Sequence, residues 1–246
     1  NYRLLLFSLT CFVFTACSSD KQMTALEKLE AAFAQMPNSE NGEALVSAYE
    51  TQLATTEQIE EKITLTQKMA TTYLKMGVPE GLQAGFTKLV QNFEGQAAAT
   101  GAAQAIMDSV LHDITNPADG RLKPAVAKQY ISLTEIYAKS RPDATESPEQ
   151  LYKSGEIARS IGDFQKALSI YSTIENYFPQ YEKAPKALFM QAFTYAEDLK
   201  NEEEARKLYE AFIEKYPEDD FVDDAQILLS TLGKTDEEIF QALEKK

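Results

Sequence analysis

Few side chains in this sequence could do chemistry. His112 is the only histidine among 246 residues, with Asp113 beside it near the end of a helical stretch. A lone imidazole with no cysteine within reach cannot build a metal site, so it reads as a helix-terminal or solvated histidine. The two cysteines, Cys11 and Cys17, both stand close to the start, which leaves the rest of the chain without a disulfide or a thiolate cluster. Carboxylates are plentiful, in Glu202-Glu203-Glu204, Glu218-Asp219-Asp220, Asp223-Asp224 and Asp236-Glu237-Glu238. A calcium loop needs alternating oxygen ligands and a central glycine, and Glu218 to Asp224 puts Phe221 and Val222 where ligands should be. Acidic helix starts and solvated turns account for all four clusters. Gly95 and the Gly101 region lack the lysine and preceding strand of a phosphate loop, and no serine sits in a nucleophile-elbow context. A carboxylate pair of the hydrolase kind is the one catalytic arrangement that spacing leaves open. The inventory points away from an enzyme and implies no cofactor and no metal.

The elements that must carry these residues are helical. The chain has ten Gly, nine Pro and no Trp, and no run of β-branched residues, which excludes a sandwich or barrel. A formal charge of −14 repels phosphate backbones, so nucleic acid is excluded as a partner.

At the start, Leu4 to Phe14 is apolar after Arg3, the length of a signal h-region and too short to span a bilayer. It closes on Phe14-Thr15-Ala16-Cys17, followed by polar Ser18-Ser19-Asp20-Lys21. This resembles the lipobox of bacterial lipoproteins, with Phe14 where that family more often has Leu. The resemblance implies a signal peptide over residues 1–16, lipid on Cys17 and a tether over residues 17–21. Each buried methylene contributes roughly 0.8 kcal/mol and stable anchoring takes about two chains, so Cys17 would be an attachment point and not a nucleophile. The absence of Asp after the cysteine resembles the outer-membrane sorting pattern, which implies a location in the cell envelope, at the outer membrane and facing the periplasm.

Self-similarity is clearest toward the end of the chain. Pro142, Pro179 and Pro217 recur at spacings of 37 and 38 residues, as do Pro148, Pro185 and Asp223. Ala167 and Ala205, and Tyr171 and Tyr209, repeat at 38. Alanine within an apolar stripe lets backbones approach, tyrosine one turn on fills the same face, and the Phe178-Pro179 and Tyr216-Pro217 pairs stop the helix. Pro148 and Pro185 suit the first turn of a following helix. These marks resemble the tetratricopeptide repeat, in which a small residue of helix A, here Gly155 or Ala192, meets one of helix B, here Ala167 or Ala205. The long period implies lengthened turns or helices.

Upstream the pattern decays. Met69-Ala70, Tyr73, Gly77, Ala84 and Phe93 resemble a degenerate repeat, and Lys123 to Tyr137 reads as a helix B leading into Pro142. Gln96 to His112 is Ala-rich and ends at the turn cluster Asn116 to Gly120. Thr24 to Met36 and Gly42 to Leu53 read as amphipathic helices, and Thr56 as the cap of a long helix to Met76. Phe221 to Leu232 repeats a helix A, and Thr235 starts a last helix that should cover the end of the stack. The expected fold is all-α: a helical-hairpin solenoid of tetratricopeptide-like repeats over residues 141–246, with a degenerate helical half over residues 22–140.

The repeat resemblance implies a groove for peptides lined by helices A. Carried over by position, it would offer Tyr152, Glu156 and Arg159 from one helix and Phe189, Phe193 and Glu197 from the next. Phe189 and Phe193 read equally as packing between repeats. Lipobox and repeats together resemble envelope lipoproteins of the outer-membrane assembly type and coordinators of the Tol-Pal machinery. That likeness implies a scaffold holding protein partners in the envelope, at a membrane through lipid on Cys17. The alternative is a helical solute- or glycan-binding lipoprotein, against which the missing tryptophan counts.

Overall fold

A computed structural model describes residues 23–235 and 237–238. The signal segment, Cys17 and the tether lie outside the described residues, as does most of the last helix expected after Thr235. Among the described residues eleven α-helices follow one another: α1 (Ala25–Gln35), α2 (Ser39–Thr55), α3 (Ile59–Met76), α4 (Pro79–Asn92), α5 (Ala97–His112), α6 (Pro124–Ser140), α7 (Glu146–Ser160), α8 (Phe164–Tyr177), α9 (Ala184–Phe193), α10 (Glu202–Lys215) and α11 (Val222–Thr231). A π-turn, Thr194–Asp198, extends α9. Each helix packs on the next, and α3 on α5 and α4 on α6 add a second layer of contact. The fold is an all-α helical repeat solenoid.

Local chemistry sets the boundaries. Thr24 caps α1 in a reciprocal box with Glu27, satisfying two orphan N–H groups. Asn38 caps α2, accepting from Asn41 N at 2.8 Å, so that helix starts three residues before the expected Gly42. Thr56 does not cap α3: its own N–H closes α2 on the carbonyl of Gln52, its hydroxyl donates to Glu61, and α3 starts behind Gln58 without a side-chain cap. Gly77 ends α3 at φ 70°, the left-handed geometry that favours glycine.

The repeat marks fall on buried contacts. Ala167, Ala205, Tyr171, Tyr209, Ile174 and Phe212 are fully buried. A Cβ on Gly155 would sit 2.5 Å from Tyr171 Cε1, so α7 and α8 cross as closely as a small residue permits. Upstream, the small residue against Ala70 is Gly85, where an added Cβ would lie 2.9 Å from the Ala70 methyl; Ala84 points outward. The core runs without a break across residue 140, with Leu133 and Tyr137 of α6 in the same cluster as Leu151, Tyr152 and Ile157 of α7. Between those helices the buried Thr134 and Ser154 hydroxyls lie 2.5 Å apart. Thr134 gives its proton to the Ile131 carbonyl, so Ser154 is the donor of the pair.

The π-turn explains why two periods coexist. From Gly155 to Ala167 the hairpin takes one residue fewer than from Ala192 to Ala205. The extra residue is absorbed where Leu199 N donates to the Thr194 carbonyl at 3.0 Å, the wider turn of a π-helix. After it the two hairpins come back into register. Gly162 at φ 78° and Lys200 at φ 53° hold the turn, and Asp163 and Asn201 cap the next helix three residues on.

Candidate protein-interaction surface

The six residues expected to line a groove divide into two groups. Tyr152 and Phe189 are buried, at 3% and 6% exposure, and serve as packing between helices. Phe189 is ringed by Phe193, Tyr209, Phe212 and Phe221 at centroid distances of 6.3, 5.8, 5.7 and 5.1 Å. Tyr152 lies 6.0 Å from the Tyr171 ring. Burial raises the phenol pKa of Tyr152, Tyr171 and Tyr209 well above its ordinary value, with nearby carboxylates adding to the effect. Glu156 and Glu197 are exposed, and Arg159 and Phe193 are half-buried.

Those four accessible residues straddle the seam between α7 and α9. The Arg159 guanidinium stands 4.7 Å from the Phe193 ring centroid and pairs through Nε with Asp198, which the π-turn carries. A flat cation-on-ring surface flanked by carboxylates suits contact with a protein chain. At the other end of the seam Glu149 accepts from Tyr181 and from Lys183 at 2.9 Å. The tyrosine hydrogen bond, then the lysine, holds the Glu149 carboxyl below the usual range. The Lys183 and Lys186 ammonium groups stand over the Tyr152 ring, 5.4 and 5.7 Å from its centroid.

A second surface has no counterpart in the sequence reading. Glu135, Ala138 and Lys139 of α6, Pro142 just past its end, Leu151 of α7, Ile170, Thr173 and Tyr177 of α8 and Phe178 after it line a mostly apolar groove of about 470 Å³. Tyr177 is 77% exposed. Its partner in the next repeat, 38 residues on, is Lys215, a side chain that reaches Glu175 at 3.2 Å. The repeat therefore does not need an aromatic at that position. Comparing the hairpins residue by residue, beyond the Phe178-Pro179 mark, would have singled it out.

His112 lies exposed in the last turn of α5, where a cation would meet the negative end of the helix dipole. The Glu202 to Glu204 and Asp223-Asp224 clusters occupy first turns of α10 and α11, where that dipole favours negative charge.

The tetratricopeptide repeat family model matches residues 186–219. That match falls on the hairpin of α9 and α10. Its match begins one residue after Pro185 and takes in Ala205, Tyr209, Phe212 and Pro217, and the hairpin of α7 and α8 places Ala167, Tyr171, Ile174 and Pro179 in the same roles. No curated protein matches the chain. Tetratricopeptide repeats are protein-interaction modules, which agrees with an accessible seam and an apolar groove on adjoining hairpins.

Proposed function

We propose that this protein is a lipid-anchored scaffold of the cell envelope that holds partner proteins on its tetratricopeptide repeats. The observation that carries the partner-binding reading is Tyr177. An aromatic side chain three-quarters exposed over an apolar groove lowers the solubility of a free surface and gains free energy when a partner covers it. Its neighbour repeat keeps the same fold with lysine. The α7/α9 seam of Glu156, Arg159, Phe193 and Glu197 offers a second contact. The lipobox supports the anchor: Cys17 would carry the lipid at the outer membrane, with the repeats facing the periplasm. Among the described residues no helix is long and apolar enough to cross a membrane, so on this reading membrane attachment rests on Cys17.

Two experiments test the two halves separately. Tyr177→Lys copies the sister repeat, so it should keep the circular dichroism spectrum and thermal midpoint of the parent while losing crosslinks to envelope proteins in intact cells. Unchanged crosslinks in that variant would remove the groove from the account. Cys17→Ala should move the protein from the membrane to the soluble fraction with its helical content intact, and continued sedimentation with membranes would mean that the repeats themselves hold it there.

A further inference from the structure

The Tyr177 groove continues past Tyr177 into a second hollow of about 390 Å³. Pro142, Tyr177 and Phe178 border both hollows and form the ridge between them. The first has an apolar floor, with Leu151 and Ile170 fully buried beneath it. The second adds two prolines, Pro148 and Pro179, and Tyr181, which is held in place by its hydrogen bond to Glu149. The two ends differ in charge. Asp143 and Glu182 bring exposed carboxylates to the second hollow, and among the described residues neither forms an ion pair and no Lys or Arg borders that hollow. The first hollow has the exposed Lys139, while the carboxylate of its Glu135 is occupied by Lys166 at 3.0 Å.

We infer that this double groove takes a proline-rich segment of a protein partner, extended as a polyproline II helix, with a basic residue at the Asp143 and Glu182 end. The inference rests on the reading that a partner covers Tyr177 and names what that partner presents. Hydrogen bonding selects the backbone. An ordinary extended chain laid over Leu151, Ile170 and Phe178 would bury N–H groups against apolar walls, where an unmet donor is costly. Proline has no N–H to lose. Polyproline II has no internal hydrogen bonds, so its carbonyls remain free to accept. The Tyr177 hydroxyl and the Gln180 amide stand beside the second hollow as donors, neither with a hydrogen-bond partner among the described residues. A helical segment, whose carbonyls are already paired along its length, would leave both unused.

Shape and charge agree with that choice. Polyproline II has three residues per turn and rises about 3.1 Å per residue, so prolines three apart lie on one side about 9 Å from each other. One ring can then enter each hollow with Tyr177 between them, the packing by which aromatic-lined grooves hold proline-rich segments. A Lys or Arg at one end of the segment meets Asp143 and Glu182, while at the other end Lys139 repels it, so charge sets the direction in which the segment lies.

Fluorescence anisotropy of labelled peptides with the full chain is the test. The probes are Arg-Pro-Leu-Pro-Pro-Leu-Pro, the same peptide with Glu in place of Arg, and the first with every Pro replaced by Ala. The Arg peptide should bind about tenfold or more tighter than the Ala peptide and, at low salt, roughly three- to tenfold tighter than the Glu peptide. Tyr177→Lys should lose both proline peptides. Asp143→Asn combined with Glu182→Gln, at exposed positions, should bring the Arg and Glu peptides within about twofold of each other. Equal binding of the proline and alanine peptides would overturn the proposal, as would a Glu peptide that binds as well as the Arg peptide, or no binding of either proline peptide. Crosslinks from position 177 to envelope proteins, obtained while the proline peptides fail, would leave the partner reading in place and remove only its proline-rich class; failure of both would remove both.

Discussion

At Gly155 the packing of the first hairpin depends on a missing methyl group. A side chain there must push into Tyr171, whose ring has no exposed edge to yield toward. Gly155→Val is expected to cost about 1–3 kcal/mol, read as a lower urea midpoint with an unchanged slope. Lys200 presents the opposite case, a non-glycine residue at φ 53° in the position Gly162 fills one hairpin earlier. Lys200→Gly is expected to stabilise by roughly 0.5–1 kcal/mol, relief of left-handed strain outweighing the extra freedom of the unfolded chain; a lowered midpoint would contradict it. Tyr130 supplies a titration. Its buried hydroxyl donates to Gln150 at 2.7 Å, and burial, with Asp108 and Glu149 nearby, pushes its pKa up to about 12. Because the folded state holds the proton more tightly than the unfolded chain, the unfolded chain alone loses it just above pH 10. Stability should therefore fall as pH rises from about 10 to 12. Following tyrosinate absorbance beside circular dichroism checks this, and Tyr130→Phe should make the fall shallower. The small and aromatic repeat positions were legible in the sequence because steric close approach restricts residue type strongly. Tyr177 marks itself only as a departure from the repeat, with Lys215 at the matching position, since an exposed position restricts residue type weakly.

The elements show where pattern reading stops. Helix bodies followed from apolar spacing, and the ends at Pro179 and Pro217 followed from proline chemistry. The starts of α2 and α3 did not, since Asn38 won the capping contact over the expected entry at Gly42, and Thr56 was already engaged in closing α2. The π-turn is a one-residue insertion that periodicity registers only as a mismatch between 37 and 38. Removing Glu197 from the full chain should restore an α-helical run and the shorter spacing of the first hairpin. The Arg159–Asp198 contact would be lost with it. Since that pair is only partly buried, the expected cost is within about 1 kcal/mol, measured by urea unfolding. A much larger loss would mean that the π-turn holds the second hairpin together and is not simply an accommodated insertion.

On the scale of the whole molecule, the repeats repeat their packing and differ in what they show to solvent. The α7/α8 and α9/α10 hairpins bury the same alanine and tyrosine pair, Ala167 and Tyr171 or Ala205 and Tyr209, while the outward positions vary between Tyr177 and Lys215, or Glu156 and Phe193. Stacked hairpins impose few demands on such outward positions, so differences there are free to serve binding. Charge supports a protein partner over nucleic acid, and the proposed place at a membrane rests on the resemblance of Phe14 to Cys17 to a lipobox, outside the described residues. The central claim is that the Tyr177 groove is covered by another protein in the envelope. Placing a photo-crosslinking amino acid at position 177 in the full-length protein, in the cells that make it, tests this most directly. The account predicts discrete adducts with envelope proteins, absent when the same probe stands at the equivalent position 215. Equal adducts at both positions, or none at 177, would contradict it.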